Sequence, residues 1–228
     1  MMPNEGPQGS VHQFLSTLKD AFARAEAMEA RSSFLHRELD IIPINQLRYA
    51  GFHMLGAYST DTGEWDVNEL KSAINHCKHA YSDATCSVAE YLVKYCWCFA
   101  DFYRGRREVL TVIPNYNNIL IEMDEASRVL AVFLSRINEG KGDNEIDPYN
   151  QNQREEYMVT LTQHIETLDK TRRTFSVASV EIDALIAKND ALEAGKKRLN
   201  KVILVVTALS LVWAILSTLG VIPPIVYR

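Results

Sequence analysis

The sequence predicts an all-α protein: a cytoplasmic helical bundle, then a long helix that continues into a single C-terminal transmembrane helix. Three observations support this prediction. Apolar residues recur three or four positions apart through most of the chain, which is the helical repeat. No segment alternates convincingly between apolar and polar residues, as a half-buried strand would. The run 202–222 is strongly apolar and contains no charged residue.

Composition and charge exclude several classes of protein. The 228 residues are 47% hydrophobic and 23% charged, an ordinary globular mixture that can bury a core without disulfides. The net charge of −5 gives no indication of nucleic-acid binding, and no DNA partner is predicted. The cysteines lie within one predicted helix, and no N-terminal signal peptide is recognised. We therefore expect a reduced, cytoplasmic setting for the helical body.

The cytoplasmic helical domain is predicted to span 11–153, after a Pro/Gly-rich, disordered N-terminus at 1–10. Its first helix covers 11–39, and Pro43 is predicted to end that region. A second helix is predicted at 45–58. Its expected apolar face consists of Leu47, Ala50, Gly51, Met54, Leu55 and Tyr58.

A long third helix is predicted to start at Asp66 and to reach about residue 110, before Pro114. Asp66 and Glu69 resemble a capping box, in which the two side chains satisfy free backbone amides reciprocally. A fourth helix is expected at 117–138, followed by a polar loop at 139–153. The apolar stripe of the third helix consists of Leu70, Ile74, Cys77, Tyr81, Ala84, Val88, Leu92, Tyr95, Phe99 and Phe102.

The segment 154–201 is predicted to form a long amphipathic helix. Its apolar stripe can pack on the cytoplasmic core or join copies of the chain as a coiled coil, and both readings stay open. Arg172 and Asn189 interrupt this seam. The stripe consists of Met158, Leu161, Ile165, Leu168, Phe175, Ile182, Leu185, Leu192 and Leu199.

The membrane helix is predicted at 202–222. At about 1.5 Å per residue this run spans roughly 30 Å, the thickness of a hydrocarbon core. The basic residues Lys196, Lys197, Arg198 and Lys201 precede it, and only Arg228 follows. The positive-inside rule therefore places the N-terminal body in the cytoplasm and leaves 223–228 as a short tail on the far side.

One face of the predicted membrane helix carries Thr207, Ser210, Ala214 and Ser217. Small and weakly polar residues let helices approach closely in lipid, so this face can form a helix–helix contact. It can also line a pore within a larger ring. Alternatively, the hydroxyls bond back to carbonyls of their own helix and have no further role.

Two segments have an arginine and a histidine separated by four residues, Arg31 to His36 and Arg48 to His53. This spacing resembles the motif of HEPN ribonucleases, which implies a basic residue at the phosphate and a histidine for acid–base work. RNA cleavage needs a proton acceptor and charge stabilisation at phosphorus, which fits these residue types. Residues five apart on one helix point about 140° apart, which argues against direct convergence. The catalytic candidates are therefore Arg48 and His53, with Arg31 and His36 as the alternative pair.

Metal and cofactor sites are not predicted. A cluster of histidine and cysteine occurs along the third helix, but it contains no CxxC pair, and the cysteines are expected to be small buried hydrophobes. The chain has no P-loop, GxGxxG, GxSxG or HExxH motif, so no cofactor is expected. The cluster consists of His76, Cys77, His79, Cys86, Cys96 and Cys98.

The segment LRYAGFHMLGAYS, followed by ELKSAINHCKHAYSDA, resembles the paired long helices of HEPN-like domains over residues 45–138. With one membrane span, the chain resembles the membrane-anchored HEPN-like accessory proteins of prokaryotic antiviral, CRISPR-associated systems. The resemblance implies a homo-oligomer that perturbs the bacterial inner membrane when infection is sensed, with a CRISPR effector or an RNA signal as partner. It also implies that the fold can persist after ribonuclease chemistry is lost.

Three functional hypotheses follow. The leading one is a non-enzymatic, oligomeric membrane effector that forms a pore or distorts the lipid bilayer. The second is a membrane-tethered, metal-independent endoribonuclease using Arg48 and His53. The third is a tail-anchored scaffold that recruits a soluble partner.

Overall fold

The computed structural model describes residues 7–139 and 151–219, and within them the all-α prediction is confirmed. The described chain contains no strand, although an isolated antiparallel bridge joins Tyr58 and Trp65. Residues 1–6 of the predicted N-terminal segment, 140–150 of the predicted loop, 220–222 of the predicted membrane helix and the predicted tail 223–228 lie outside the described residues. Residues 7–10, predicted to be disordered, belong to the first helix, and 151–153 of the predicted loop belong to the last helix. The helices are α1 (Pro7–His36), α2 (Ile41–Gly56), α3 (Val67–Phe102), α4 (Arg107–Val112), α5 (Tyr116–Glu139) and α6 (Gln151–Thr218).

These helices form two compact units. The first contains α1, α2, α3, α5 and the part of α6 that ends at Phe175; the second contains α4 and α6 from Ser176 onward. In the first unit α3 is the central helix and packs against α1, α2 and α5. The α3 helix also contacts α6, where the hydroxyls of Tyr81 and Thr162 are hydrogen-bonded at 3.2 Å.

The second helix starts earlier than the sequence suggests. Pro43 lies inside α2, in its first turn, where a missing N–H removes no helical hydrogen bond. The predicted apolar face is wrong in part, since Leu55 is 74% exposed. The buried side of α2 instead includes Pro43 and Ala50, with Leu47 partly buried against the same core.

The third helix is capped by Asp66, whose carboxylate accepts from the backbone amides of Asn68 and Glu69. The predicted return bond of the capping box, from the Asp66 backbone amide to the Glu69 side chain, is wrong. The Asp66 amide donates to the Ala57 carbonyl at 2.7 Å, and the Glu69 carboxylate bonds His53 instead. The predicted extension to residue 110 is also wrong, because α3 ends at Phe102 and a turn with Gly105 at φ 77° separates it from α4.

The core of the first unit includes the buried stripes of α5 and the early part of α6. In α5 the buried residues include Ile119, Met123 and Phe133. Within the first unit, the apolar members of the predicted α6 stripe are buried from Met158 to Phe175. In the second unit Ile182 is buried, whereas Leu192 and Leu199 are 56% and 59% exposed. Phe99 and Phe175 stack with ring centroids 4.0 Å apart and join α3 to α6.

Candidate functional site

Two histidines from adjacent helices stack where α2 meets α3. The ring centroids of His53 and His76 are 5.1 Å apart, and the ring planes are inclined by 16°. His53 donates its Nδ1–H to Glu69 Oε2 at 2.6 Å, and His76 donates its Nδ1–H to Gln46 Oε1 at 2.8 Å. Because these oxygens accept, the neutral form of each ring keeps its lone pair on Nε2.

Burial and electrostatics favour the neutral form of one ring. Burial lowers the pKa of His76 below its ordinary value of 6.5, and the nearby His53 lowers it further. His76 is therefore neutral at pH 7, and its Nε2 can accept a hydrogen bond. The side chains of His53 and Glu69 are 34% and 39% exposed, so a solute can reach this histidine pair.

Arg48 joins the histidine pair through Tyr49. The guanidinium carbon of Arg48 lies 5.4 Å from the centroid of the Tyr49 ring, which is the distance of a cation–π contact. The Tyr49 ring in turn lies 5.6 Å from the ring of His76. Arg48 is thus connected to His53 by three successive contacts, through Tyr49 and His76.

This cluster has the parts of an acid–base site but not those of a metal site. His53 Nε2 can accept a proton while Glu69 holds the ring in orientation, and the positive charge of Arg48 is connected to His53 through Tyr49 and His76. The lone pairs of the stacked His53 and His76 rings lie in nearly parallel planes, so they do not point toward one metal ion. Among the described residues, no group of three or more His, Cys, Asp or Glu side chains could hold a metal ion.

The alternative pair is directed toward two different helices. Arg31 bonds Glu166 at 2.7 Å and Asp169 at 3.4 Å, both on α6. His36 Nε2 instead lies 3.1 Å from the Ser87 hydroxyl on α3. This separation follows from their five-residue spacing on α1, which turns the two side chains to different sides of the helix.

His36 ends a chain of polar contacts that the sequence analysis missed. The Ser87 hydroxyl lies 3.0 Å from that of Ser32, and Ser32 donates to the Asp40 carboxylate at 3.0 Å. Ser32 is fully buried, so this chain satisfies hydroxyl groups that would otherwise be buried without partners. Its simplest role is to fix the end of α1 on α3.

Asp169 is the centre of a structural ion cluster on α6. Its side chain is 8% exposed and is paired with Arg31, Arg172 and Arg173. Burial alone would raise the pKa of Asp169, but hydrogen bonds and charge from Arg172 and Arg173 outweigh it and lower the pKa. Arg172, expected to interrupt the α6 seam, therefore lies beside the seam and stabilises a buried carboxylate.

The cysteines of α3 lie mainly in the protein interior. Cys77, Cys86 and Cys96 are buried, and Cys98 is exposed. Burial raises the pKa of the Cys77 thiol to about 11 and that of Cys96 to about 12. These buried thiols are therefore protonated at pH 7 and are poor nucleophiles.

One described helix is long and apolar enough to cross a membrane. An 18-residue window of α6 has a mean hydropathy of 2.1 and none of it is buried within the chain. The Thr207 and Ser210 hydroxyls each donate to the carbonyl four residues earlier, at 2.8 Å. Within the described part of the chain, the buried hydroxyl oxygen of Ser217 has no hydrogen-bond partner.

Comparison of the chain with protein-family models, curated proteins and solved structures found no match.

Proposed function

We propose that this protein is an oligomeric membrane effector of prokaryotic antiviral defence that forms a pore or otherwise perturbs the inner membrane. The observation that carries the proposal is the exposed apolar window of α6. An apolar surface of this length is unfavourable in water and favourable in a bilayer, so the segment supports a single membrane span. The protein is a non-enzymatic effector in this proposal.

The topology and the biological setting are part of the same proposal. The four basic residues between Lys196 and Lys201 support a cytoplasmic body, because such a flank is retained on the cytoplasmic side. The antiviral role and the partner, a CRISPR effector or an RNA signal, rest on the resemblance to HEPN-like accessory proteins. The hydroxyl oxygens of Thr207 and Ser210 retain acceptor capacity for a neighbouring helix or for water in a pore.

Expression of the full chain in bacteria is expected to depolarise the inner membrane, measured with a potential-sensitive dye. Replacing the polar face by Thr207→Val, Ser210→Ala and Ser217→Ala should reduce depolarisation, because it removes the hydroxyls that hold the pore or contact. The matched control is Val205→Ala with Val212→Ala, which alters the opposite face. An intact membrane potential, together with a strictly monomeric protein in detergent, would contradict the proposal.

The second candidate function is a metal-independent endoribonuclease, which the stacked histidine pair favours. His53 Nε2 takes the proton of the RNA 2′-hydroxyl as the 2′-oxygen attacks phosphorus. The bond from phosphorus to the 5′-oxygen breaks, a water molecule protonates the departing 5′-oxygen, and His53 returns its proton to solvent. Glu69 orients the ring, and the Arg48 guanidinium offsets charge at phosphorus. The neutral His76 ring, which stacks on His53, provides a second hydrogen-bond acceptor at its Nε2. This arrangement extends the predicted pair of Arg48 and His53 to a larger set of residues.

The purified full chain is expected to cleave single-stranded RNA in the presence of EDTA if this candidate is correct. His53→Ala should lower the rate by about a hundredfold or more, the usual contribution of a general base. His12→Ala is the matched control, because His12 is exposed on α1. Cleavage that is unchanged by His53→Ala would remove the assigned site.

A tail-anchored scaffold remains the third candidate, and the outer side of α2 favours it. Ile41, Phe52 and Leu55 are 66%, 62% and 74% exposed there. Exposed apolar groups on one helix face are typical of protein contact surfaces. This candidate predicts neither depolarisation nor RNA cleavage, so the two measurements above separate it from the others.

A further inference from the structure

The exposed part of α6 carries a heptad repeat that continues without a shift from the polar segment into the apolar segment. Every side chain from 187 to 215 is exposed. In a heptad labelled a to g, positions a and d form the seam between two helices. The d positions are Leu185, Leu192, Leu199, Val206 and Trp213, and the a positions are Asn189, Lys196, Ile203, Ser210 and Ser217.

Contact with the rest of the second unit stops near the start of this face. Ile182 is fully buried, and the Asn189 amide donates to Glu108 Oε1 of α4 at 2.8 Å. About one and three turns beyond that bond, Leu192 and Leu199 are more than half exposed. An isolated helical stretch of this length is marginal in water, so packing of its apolar seam would stabilise it.

We propose that this face pairs with the same face of a second copy of the chain, as a parallel two-stranded coiled coil that runs from about residue 192 into the membrane. The parallel orientation in this proposal rests on the membrane anchor of the proposed function. If every copy is anchored at the C-terminal end of α6 in one membrane, the paired helices must run in the same direction. Lipid or another protein would be a competing occupant of this face.

The residue types on the seam favour two strands. Leucine occupies three successive d positions, Leu185, Leu192 and Leu199. Of the five a positions one is β-branched, Ile203, and the other four are polar. Leucine at d with β-branched residues at a is typical of parallel dimers. A polar residue at a, such as Lys196, sets register and strand number at some cost in stability.

One oppositely charged g-to-e pair across the seam favours a second copy as the partner. Lys188 is at position g, and Glu193 is at the following position e. In a parallel pair, g of one helix faces e of the other five residues further on, so Lys188 meets the Glu193 of the other copy. Both side chains are exposed, and the symmetry of the pair produces this contact twice.

The first test is disulfide crosslinking of the full chain in native membranes. Cys98 is the exposed native cysteine, so Cys98→Ser provides the background. Leu192→Cys and Leu199→Cys place a thiol on the seam, and Ala194→Cys places one on the outer side. Under mild oxidation we expect the seam positions to form a two-chain product at least about tenfold faster than the outer position, because only they meet the distance limit for a disulfide.

The second test exchanges the charges in the Leu199→Cys protein. Lys188→Glu or Glu193→Lys alone should lower crosslinking several-fold, since each sets like charges against each other. The two substitutions together should restore it. If the double substitution does not crosslink faster than either single substitution, the proposed register is wrong.

The two tests also separate this inference from the proposed function. A chain that stays in the membrane but crosslinks equally from both sides of α6 overturns the coiled coil and leaves the anchor intact. Crosslinking of the seam thiols mainly to a different protein would likewise overturn the coiled coil and leave the anchor intact. A chain recovered outside the membrane removes the basis of both proposals.

Discussion

Replacement of Leu211 and Val212 by arginine is expected to release the protein from the membrane. Each arginine near the centre of a membrane helix costs about 2.5–3.5 kcal/mol on the insertion scale, so the pair removes most of the driving force of one span. Both residues are exposed and lie in the apolar part of α6. The distribution of the full chain between carbonate-washed membranes and the soluble fraction measures the effect.

The control for this prediction adds the same charges outside the apolar run. Ala191→Arg and Ala194→Arg lie on exposed positions of α6 and should leave the protein in the membrane fraction. If the Leu211→Arg and Val212→Arg protein also resists carbonate washing, another part of the chain attaches it to the membrane. The same double substitution in a buried core helix would lower the melting temperature, which these exposed positions should not do.

The all-α fold could be predicted because helical periodicity is a local property of the sequence. Helix ends and faces depend on other contacts. The end of α3 at Phe102 is accompanied by Gly105 in a left-handed conformation, whereas Pro114 was the more visible helix breaker. The face of α2 was misjudged because both of its sides carry apolar residues, and only packing on α1 and α3 selects the buried one.

The histidine cluster was predictable only in part. The spacing from Arg48 to His53 drew attention to one histidine, whereas His76 was weighed as a metal ligand. The sequence pattern favoured Glu69 only as a capping residue. Only the packing of α2 on α3 places it 2.6 Å from His53 Nδ1. Residues that are distant in sequence and meet through tertiary packing leave no signal in spacing.

Phe175→Ala is expected to destabilise the first unit by about 3–5 kcal/mol, the usual range for loss of a buried aromatic side chain. Phe175 is fully buried and stacks on Phe99. Its ring centroid also lies 6.0 Å from that of Tyr116 on α5. The substitution therefore leaves a cavity where α3, α5 and α6 meet, and denaturant unfolding of the full chain in detergent measures the loss.

Val177→Ala is the matched control for this substitution, two residues further along the same helix. Val177 is 77% exposed, so its truncation creates no cavity. Alanine also has the higher helix propensity, and the expected change is within about 0.5 kcal/mol in either direction. Equal destabilisation by the two substitutions would mean that loss of ring packing does not account for the effect of Phe175→Ala. A large loss with Phe175→Ala alone would establish that the start of α6 is an integral part of the helical body.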